Sequence, residues 1–153
     1  MNREKLETIY QLYEVYQAHC SIIEKYNKYI VKPFRKPNFP EPVSETIVQM
    51  ILDADIPKTG DLIKNKRRIE VKCFSSTGPS SFGPQEKWNL LIFVDAINHP
   101  QIKIYKCNLA NTDSEWQGIK INKNETYSDQ CQAKRRPRLS FKQIFSSTSR
   151  INI

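Results

Sequence analysis

The positions Leu6, Ile9, Tyr13, Tyr16, Cys20, Ile23, Asn27 and Ile30 recur at spacings of three and four. That period predicts one long helix over residues 3–30 with a single core-facing stripe, which Tyr10 and Tyr26 widen. An aromatic-rich helix of this kind is also a candidate dimer seam.

Pro33, Pro37, Pro40 and Pro42 then keep residues 32–42 extended or turning, since proline restricts both itself and the residue before it. Ser44 is a good N-cap, so a second helix is predicted from Glu45 to Ala54 with Ile47, Val48, Met50, Ile51 and Leu52 turned inward, closed off by Pro57 and Gly60. From Asp61 the period falls to two, and Asp61–Lys64 and Arg68–Phe74 read as strands joined by a tight turn at Asn65–Lys66. A loop with two Gly-Pro steps, Gly78-Pro79 and Gly83-Pro84, follows.

Asn89–Ala96 is a continuous apolar run, as expected of a central strand buried on both faces. Gln101–Asn108 alternates and belongs nearer a sheet edge. Residues 110–130 are polar and show no clear period, and Arg138–Phe145 reads as a short helix or strand carrying Leu139, Phe141 and Ile144 inward. Helices followed by a hairpin and further strands imply an α/β or α+β domain, with helices packed on a central sheet. At 153 residues the chain suits a single domain.

The hairpin turn fixes a register with chemical consequences. If the chain reverses at Asn65–Lys66, Lys64 opposes Arg67 and Asp61 opposes Glu70. Opposed residues share a face, and so do Glu70 and Lys72 two positions apart, so Asp61, Glu70 and Lys72 should converge. Two facing carboxylates repel, and stability alone does not favour that pairing. A hard divalent cation between them reverses the sign, and Mg²⁺ accepts such oxygens while keeping several waters; Mn²⁺ is a plausible substitute. The Val71 carbonyl offers a further oxygen, and Lys72 supplies a compact positive charge for an attacking water or a phosphorane. The competing reading is an amphipathic strand with a solvated face.

Charge sharpens the picture. There are 24 Lys and Arg against 16 Asp and Glu, a net charge of +8, and such a balance suits a polyanionic partner. Cys131 to Ile153 holds Lys134, Arg135, Arg136, Arg138, Lys142 and Arg150 with no acid, so this stretch reads as a basic DNA-binding tail. The four cysteines are scattered, with no C-x-x-C pair, so free thiols are expected rather than zinc or a disulfide. With no apolar run near the ~20 residues of a membrane span and a polar start, a cytoplasmic protein without membrane contact is expected.

Gly60-Asp61 followed nine residues later by Glu70-Val71-Lys72 resembles the PD-(D/E)XK nuclease motif, with Gly in place of Pro. The longer run TGDL…IEVKCFSSTGPSSFGPQEKW is similar to small type II restriction endonucleases that read GC-N-GC sites. The likeness covers roughly residues 42–96, about a third of the chain, and implies a restriction-endonuclease-like fold with a central mixed β-sheet flanked by helices. It also implies that Asp61 and Glu70 hold Mg²⁺, that Lys72 assists the nucleophile, and that Glu45 orients a water or second metal. An acid in a helix's first turn has a plain electrostatic reason too.

The activity implied is hydrolysis of duplex DNA at a short palindromic site, leaving 5′-phosphate and 3′-hydroxyl ends. Ser75, Ser76, Ser80 and Ser81 are candidates for phosphate contacts, Gln85 and Lys87 for base edges, and Lys134, Arg135, Arg136 and Arg138 for phosphate. Trp88 and Trp116 read as packing residues, and His19 and His99 stand alone. A palindromic duplex has a two-fold axis, so double-strand cleavage by so short a chain implies a homodimer. Two alternatives remain open: a four-way-junction resolvase or repair nuclease of the same fold, and a non-catalytic DNA-binding protein.

Overall fold

The computed structural model describes residues 2–74, 78–98, 101–146 and 151–152. Its first helix, α1 (Arg3–Asn27), opens on Asn2, whose side chain accepts the Lys5 amide at 2.9 Å. Ile9, Tyr13, Tyr16 and Cys20 form its buried stripe, whereas Leu6 and Ile30 are exposed, against expectation. The helix stops three residues early because Asn27 bonds the Phe34 backbone in both directions, at 2.7 and 2.9 Å, and folds the chain back.

Helix α2 (Glu41–Leu52) begins four residues before the predicted start. Pro40 is its N-cap and Pro42 sits in its first turn, where the missing N–H would be unsatisfied anyway. Ser44 therefore lies inside the helix, its hydroxyl turned back on the Pro40 carbonyl at 3.3 Å. The helix ends at Leu52 rather than Ala54, with Asp53 in the left-handed region. Lys5 pairs with Asp53, and the Lys64 ammonium donates to the Leu52 carbonyl.

The strands β1 (Leu62–Lys64), β2 (Arg67–Cys73), β4 (Leu90–Asp95) and β5 (Lys103–Cys107) form the central sheet in the order β1-β2-β4-β5, extended beyond β5 by the short β7 (Ile151–Asn152). Strands β2 and β4 run parallel and the other neighbours antiparallel, so the sheet is mixed. All six residues of β4 are buried, as its unbroken apolar run predicts. The hairpin turn has positive φ at both Asn65 and Lys66, the mirror-image turn that suits the twist of paired strands. Lys64 opposes Arg67, as the sequence register requires.

Alternation along the strands divides the core. Leu62, Ile69, Val71, Leu90, Ile92 and Val94 pack with α1 and α2 on one face. Leu91, Phe93 and Cys107 pack on the other with Phe82, Trp88, Trp116, Tyr127 and Ile144. The polar stretch after β5 supplies much of that second cover through α3 (Ser114–Gln117) and α4 (Tyr127–Gln132), the latter opened by a Thr126–Asp129 capping box. Its buried residues are too widely spaced to show a period. Residues 138–146 are both things the sequence allowed: β6 (Arg138–Leu139), then α5 (Phe141–Ser146). β6 pairs with β3 (Ser80–Ser81), which ties the basic tail to the loop after β2. Trp88 and Trp116 are buried and packed edge to face at 5.4 Å, confirming them as core residues. The four cysteines are free thiols.

Candidate active site

Gly60 has a φ of +86°, a conformation closed to proline and strained for other residues, and it aims Asp61 back across the hairpin. Strand β1 begins only at Leu62, which leaves the Val71 amide without a strand partner on that side. The Asp61 carboxylate takes that amide at 2.7 Å and so completes the sheet edge. One Asp61 oxygen is thereby engaged, and the carboxylate is held beside Glu70.

Glu70 and Lys72 follow β2's alternation onto the face opposite Ile69 and Val71. Glu70 is only 6% exposed. The Lys72 ammonium meets its Oε1 at 2.6 Å and lies 5.5 Å from the centre of the Phe82 ring. Burial pushes the Glu70 carboxyl up to about 7; Lys72 opposes that rise and Asp61 adds to it. Burial raises the Asp61 carboxyl as well, against the Val71 hydrogen bond and Lys72. For Lys72, burial works against the charge, but Glu70 and Asp61 prevail and hold the ammonium above its ordinary range.

These side chains open into a cleft of about 580 Å³ bordered by Glu41, Asp61, Glu70, Lys72, Glu86 and Arg136. Two of these acids were not singled out from the sequence. Glu41 borders the cleft because α2 starts earlier than expected, and its pairing with Glu45 at a spacing of four was the available signal. Glu45 is half-buried. Its carboxyl is raised by burial first, then by Asp61 and Glu41, so it belongs to the same electrostatic neighbourhood.

Glu86 folds back over Gly83, accepting the Gly83 amide at 2.8 Å, while its other oxygen stands 4.0 Å from Arg136. No local pattern marks it; only the β3–β6 pairing brings Arg136 to it. A Cβ at residue 83 would clash with the Glu86 carboxylate. Gly83→Ala should therefore swing Glu86 out of the cleft at little cost in stability. If so, Gly83→Ala and Glu86→Gln should both tighten chelator-phase DNA binding by roughly two- to five-fold, the range of an exposed charge contact. Fluorescence anisotropy reads this, and unchanged affinity in both variants would remove Glu86 from the cleft's electrostatics.

The donor set bears on the implied metal. Among the described residues, no group of three His, Cys, Asp or Glu side chains is gathered to hold an ion. Two adjacent carboxylates, Glu70 buried and Asp61 half-buried, that both resist ionisation do fit a hard cation that keeps most of its waters, and not an all-protein cage. Asp61 and Glu70 are the residues that would hold it.

Of the candidate DNA contacts, Ser80 and Ser81 border this cleft, while Gln85, Lys87, Lys134 and Arg138 are exposed. Arg136 donates from Nε to the Ser81 hydroxyl at 3.2 Å. Arg135 is paired with Glu125 instead. His19 is exposed on α1, and Ser75, Ser76 and His99 lie outside the described residues.

Comparison with known proteins decides the family. The model of the Bsp6I restriction endonuclease family matches residues 1–147, nearly the whole chain. The chain belongs to the Bsp6I restriction endonuclease family. It is also 30% identical over 113 residues to the Type II restriction enzyme Bsp6I of Bacillus sp. (strain RFL6), a match covering 67% of this chain and 62% of that enzyme. The chain thus matches somewhat less than two thirds of its curated relative's length. No solved structure matches. The family match carries the likeness well beyond the hairpin, to α1 and to the basic stretch before residue 147. Among the described residues, no helix is long and apolar enough to cross a membrane.

Proposed function

We propose that this chain is a type II site-specific endonuclease that hydrolyses phosphodiester bonds in duplex DNA. The observation that carries the reading is the convergence of Asp61, Glu70 and Lys72 at one cleft in a member of a restriction-endonuclease family. Mg²⁺ is the divalent ion that the carboxylate pair suits best, with Mn²⁺ as a substitute. Bound there, it would polarise the scissile phosphate and help generate hydroxide at neutral pH.

The chain's own residues supply the remainder. Asp61 and Glu70 present oxygen donors, with the Val71 carbonyl beside them and Glu41 and Glu45 as further acids. The Lys72 ammonium, held on Glu70, stays charged and faces the cleft, where it orients the attacking water and stabilises charge on the phosphorane. Attack at phosphorus with departure of the 3′ oxygen leaves 5′-phosphate and 3′-hydroxyl ends. Arg136 sits at the cleft rim as a phosphate clamp, with Ser80 and Ser81 beside it; Gln85 and Lys87 extend along the same loop towards base edges. The family likeness makes a GC-N-GC site the first target to try. Cleavage of both strands of such a site calls for two copies related by a two-fold axis.

Arg135 and Arg136 should behave differently. Arg136→Ala should weaken DNA binding and flatten its salt dependence by about one phosphate contact, whereas Arg135→Ala, which loses its pairing with Glu125, should leave the slope unchanged. Equal slopes for the wild type and both variants would take Arg136 out of the interface. A substrate comparison tests the function itself: linear duplex should be cut at fixed positions. Cutting confined to four-way junctions would make the chain a resolvase, and equal DNA binding with no cutting would make it a binder.

A further inference from the structure

Helix α1 carries a second, mostly apolar line on its solvent side, away from the stripe that packs on the core. At ~3.6 residues per turn, Gln11, Val15, Ala18, Ile22 and Tyr26 fall in one line, and Tyr29 continues it past the helix end. These residues face solvent: Val15 is 70% exposed, Ile22 52%, Tyr26 56% and Tyr29 88%. Phe34 packs edge-on against Tyr26 at 6.4 Å, and Phe34 and Val31 are themselves exposed, so the patch extends beyond the helix. Ile22, Lys25, Tyr26 and Tyr29 line a shallow groove along it. The 4-3-4-4-3 spacing is that of a seam between two helices.

The charges beside the stripe say which partner fits. On one flank, Glu7 is paired with Arg3 at 2.8 Å and Glu14 stands in the N-terminal half, while Lys25 lies in the last turn and Lys28 just past it. A parallel two-fold would bring this flank against the opposite one, where Thr8, Leu12 and His19 offer it no counter-charge. An antiparallel copy sets Glu14 of each helix towards Lys25 and Lys28 of the other. The small Ala18 then meets Ile22 across a two-fold axis passing between them, which lets the helices approach. Because Ala18 of each copy meets Ile22 of the other, the interface is isologous.

We propose that the outer face of α1 is the surface on which a second copy of this chain docks, helix to helix and antiparallel. This rests on the proposed two-fold assembly and names the surface that makes it. No residue of α1 borders the cleft, so the seam and the cleft use separate surfaces.

The test is sedimentation equilibrium of the full chain without DNA, with circular dichroism as a check on folding. The wild type should run as a dimer, and Ile22→Glu, at an exposed position, should remain folded and run as a monomer at the same concentration. Glu14→Lys should raise the dimer dissociation constant by several-fold, and adding Lys25→Glu and Lys28→Glu should restore it. A dimer that survives Ile22→Glu would overturn this surface and leave the two-fold reading standing. A wild-type chain monomeric at every concentration would overturn both.

Discussion

Replacing Lys72 with methionine should lower DNA cleavage by about a thousand-fold or more while leaving DNA affinity within a few-fold of wild type. Methionine keeps an apolar stem against Phe82, so packing around the strand is largely conserved. What disappears is a buried positive charge fixed 2.6 Å from Glu70 and aimed into the cleft. Removing one preorganised donor to a transition-state charge costs on the order of 10²–10³ in rate, and Lys72 also opposes the rise that burial imposes on the Glu70 carboxyl. The Glu70 carboxyl loses its counter-charge in the variant and takes up a proton, which should weaken its hold on a cation as well. Single-turnover cleavage beside a binding titration separates the two effects. Loss of binding in step with cleavage would make Lys72 a binding residue, and full activity would remove it from the chemistry.

The second large effect concerns pH and metal together. In chelator, the folded protein should be more stable at pH 5.5 than at pH 8. The Glu70 carboxyl is raised from 4.5 to about 7 by burial, helped by Asp61 and opposed by Lys72. Across that interval the native state binds more protons than the unfolded chain, so stability falls as pH rises. The penalty is complete above about pH 7 and absent below the ordinary carboxylate range. Asp61 and Glu45 are shifted the same way, each through burial first. Glu125 and Asp129 are held low by hydrogen bonds, from Arg135 and Thr126 respectively, and act in the opposite sense, but only at more acid pH.

At about 1.4 kcal/mol per pH unit, Glu70 alone is worth on the order of 2–3 kcal/mol, or roughly 5 °C or more in Tm for a chain of this size. Mg²⁺ should recover that stability at pH 8 by binding the ionised pair, and should do little at pH 5.5, where the carboxyl is protonated. Thermal melts at the two pH values with and without Mg²⁺ check this. A chelator-phase Tm that rises from pH 5.5 to 8 would contradict the burial of a strained carboxylate.

The convergence of Asp61, Glu70 and Lys72 was legible in the sequence because strand geometry is rigid. Once Asn65–Lys66 is read as a two-residue turn, the opposition of Asp61 and Glu70 and the shared face of Glu70 and Lys72 follow from the two-residue period. The sheet centre was legible for a similar reason, since five consecutive apolar residues, Leu90 to Val94, suit a strand covered on both faces. The start of α2 was not, because Ser44 is a better cap by type than Pro40 and nothing local shows that Pro42 occupies the first helical turn. That misplacement hid Glu41. Glu86 and the partners of Arg136 depend on β3 pairing with β6, a contact between segments more than fifty residues apart, whereas Arg135 finds Glu125 ten residues away. The outer stripe of α1 was masked because the core stripe already accounts for the helix, and Tyr26, expected to widen that stripe, is 56% exposed on the outer face.

The most direct test is a digest of plasmid and phage duplex DNA by the purified chain, run with Mg²⁺, with chelator, and with Asp61→Asn in Mg²⁺. Asp61→Asn keeps a side-chain oxygen for the Val71 amide and removes the charge, so folding and catalysis are separated. Discrete fragments from the wild type in Mg²⁺ alone, with 5′-phosphate ends at one short sequence, are the expected result. Duplex left intact by the wild type under every divalent ion, or cut equally well in chelator or by Asp61→Asn, would contradict the account.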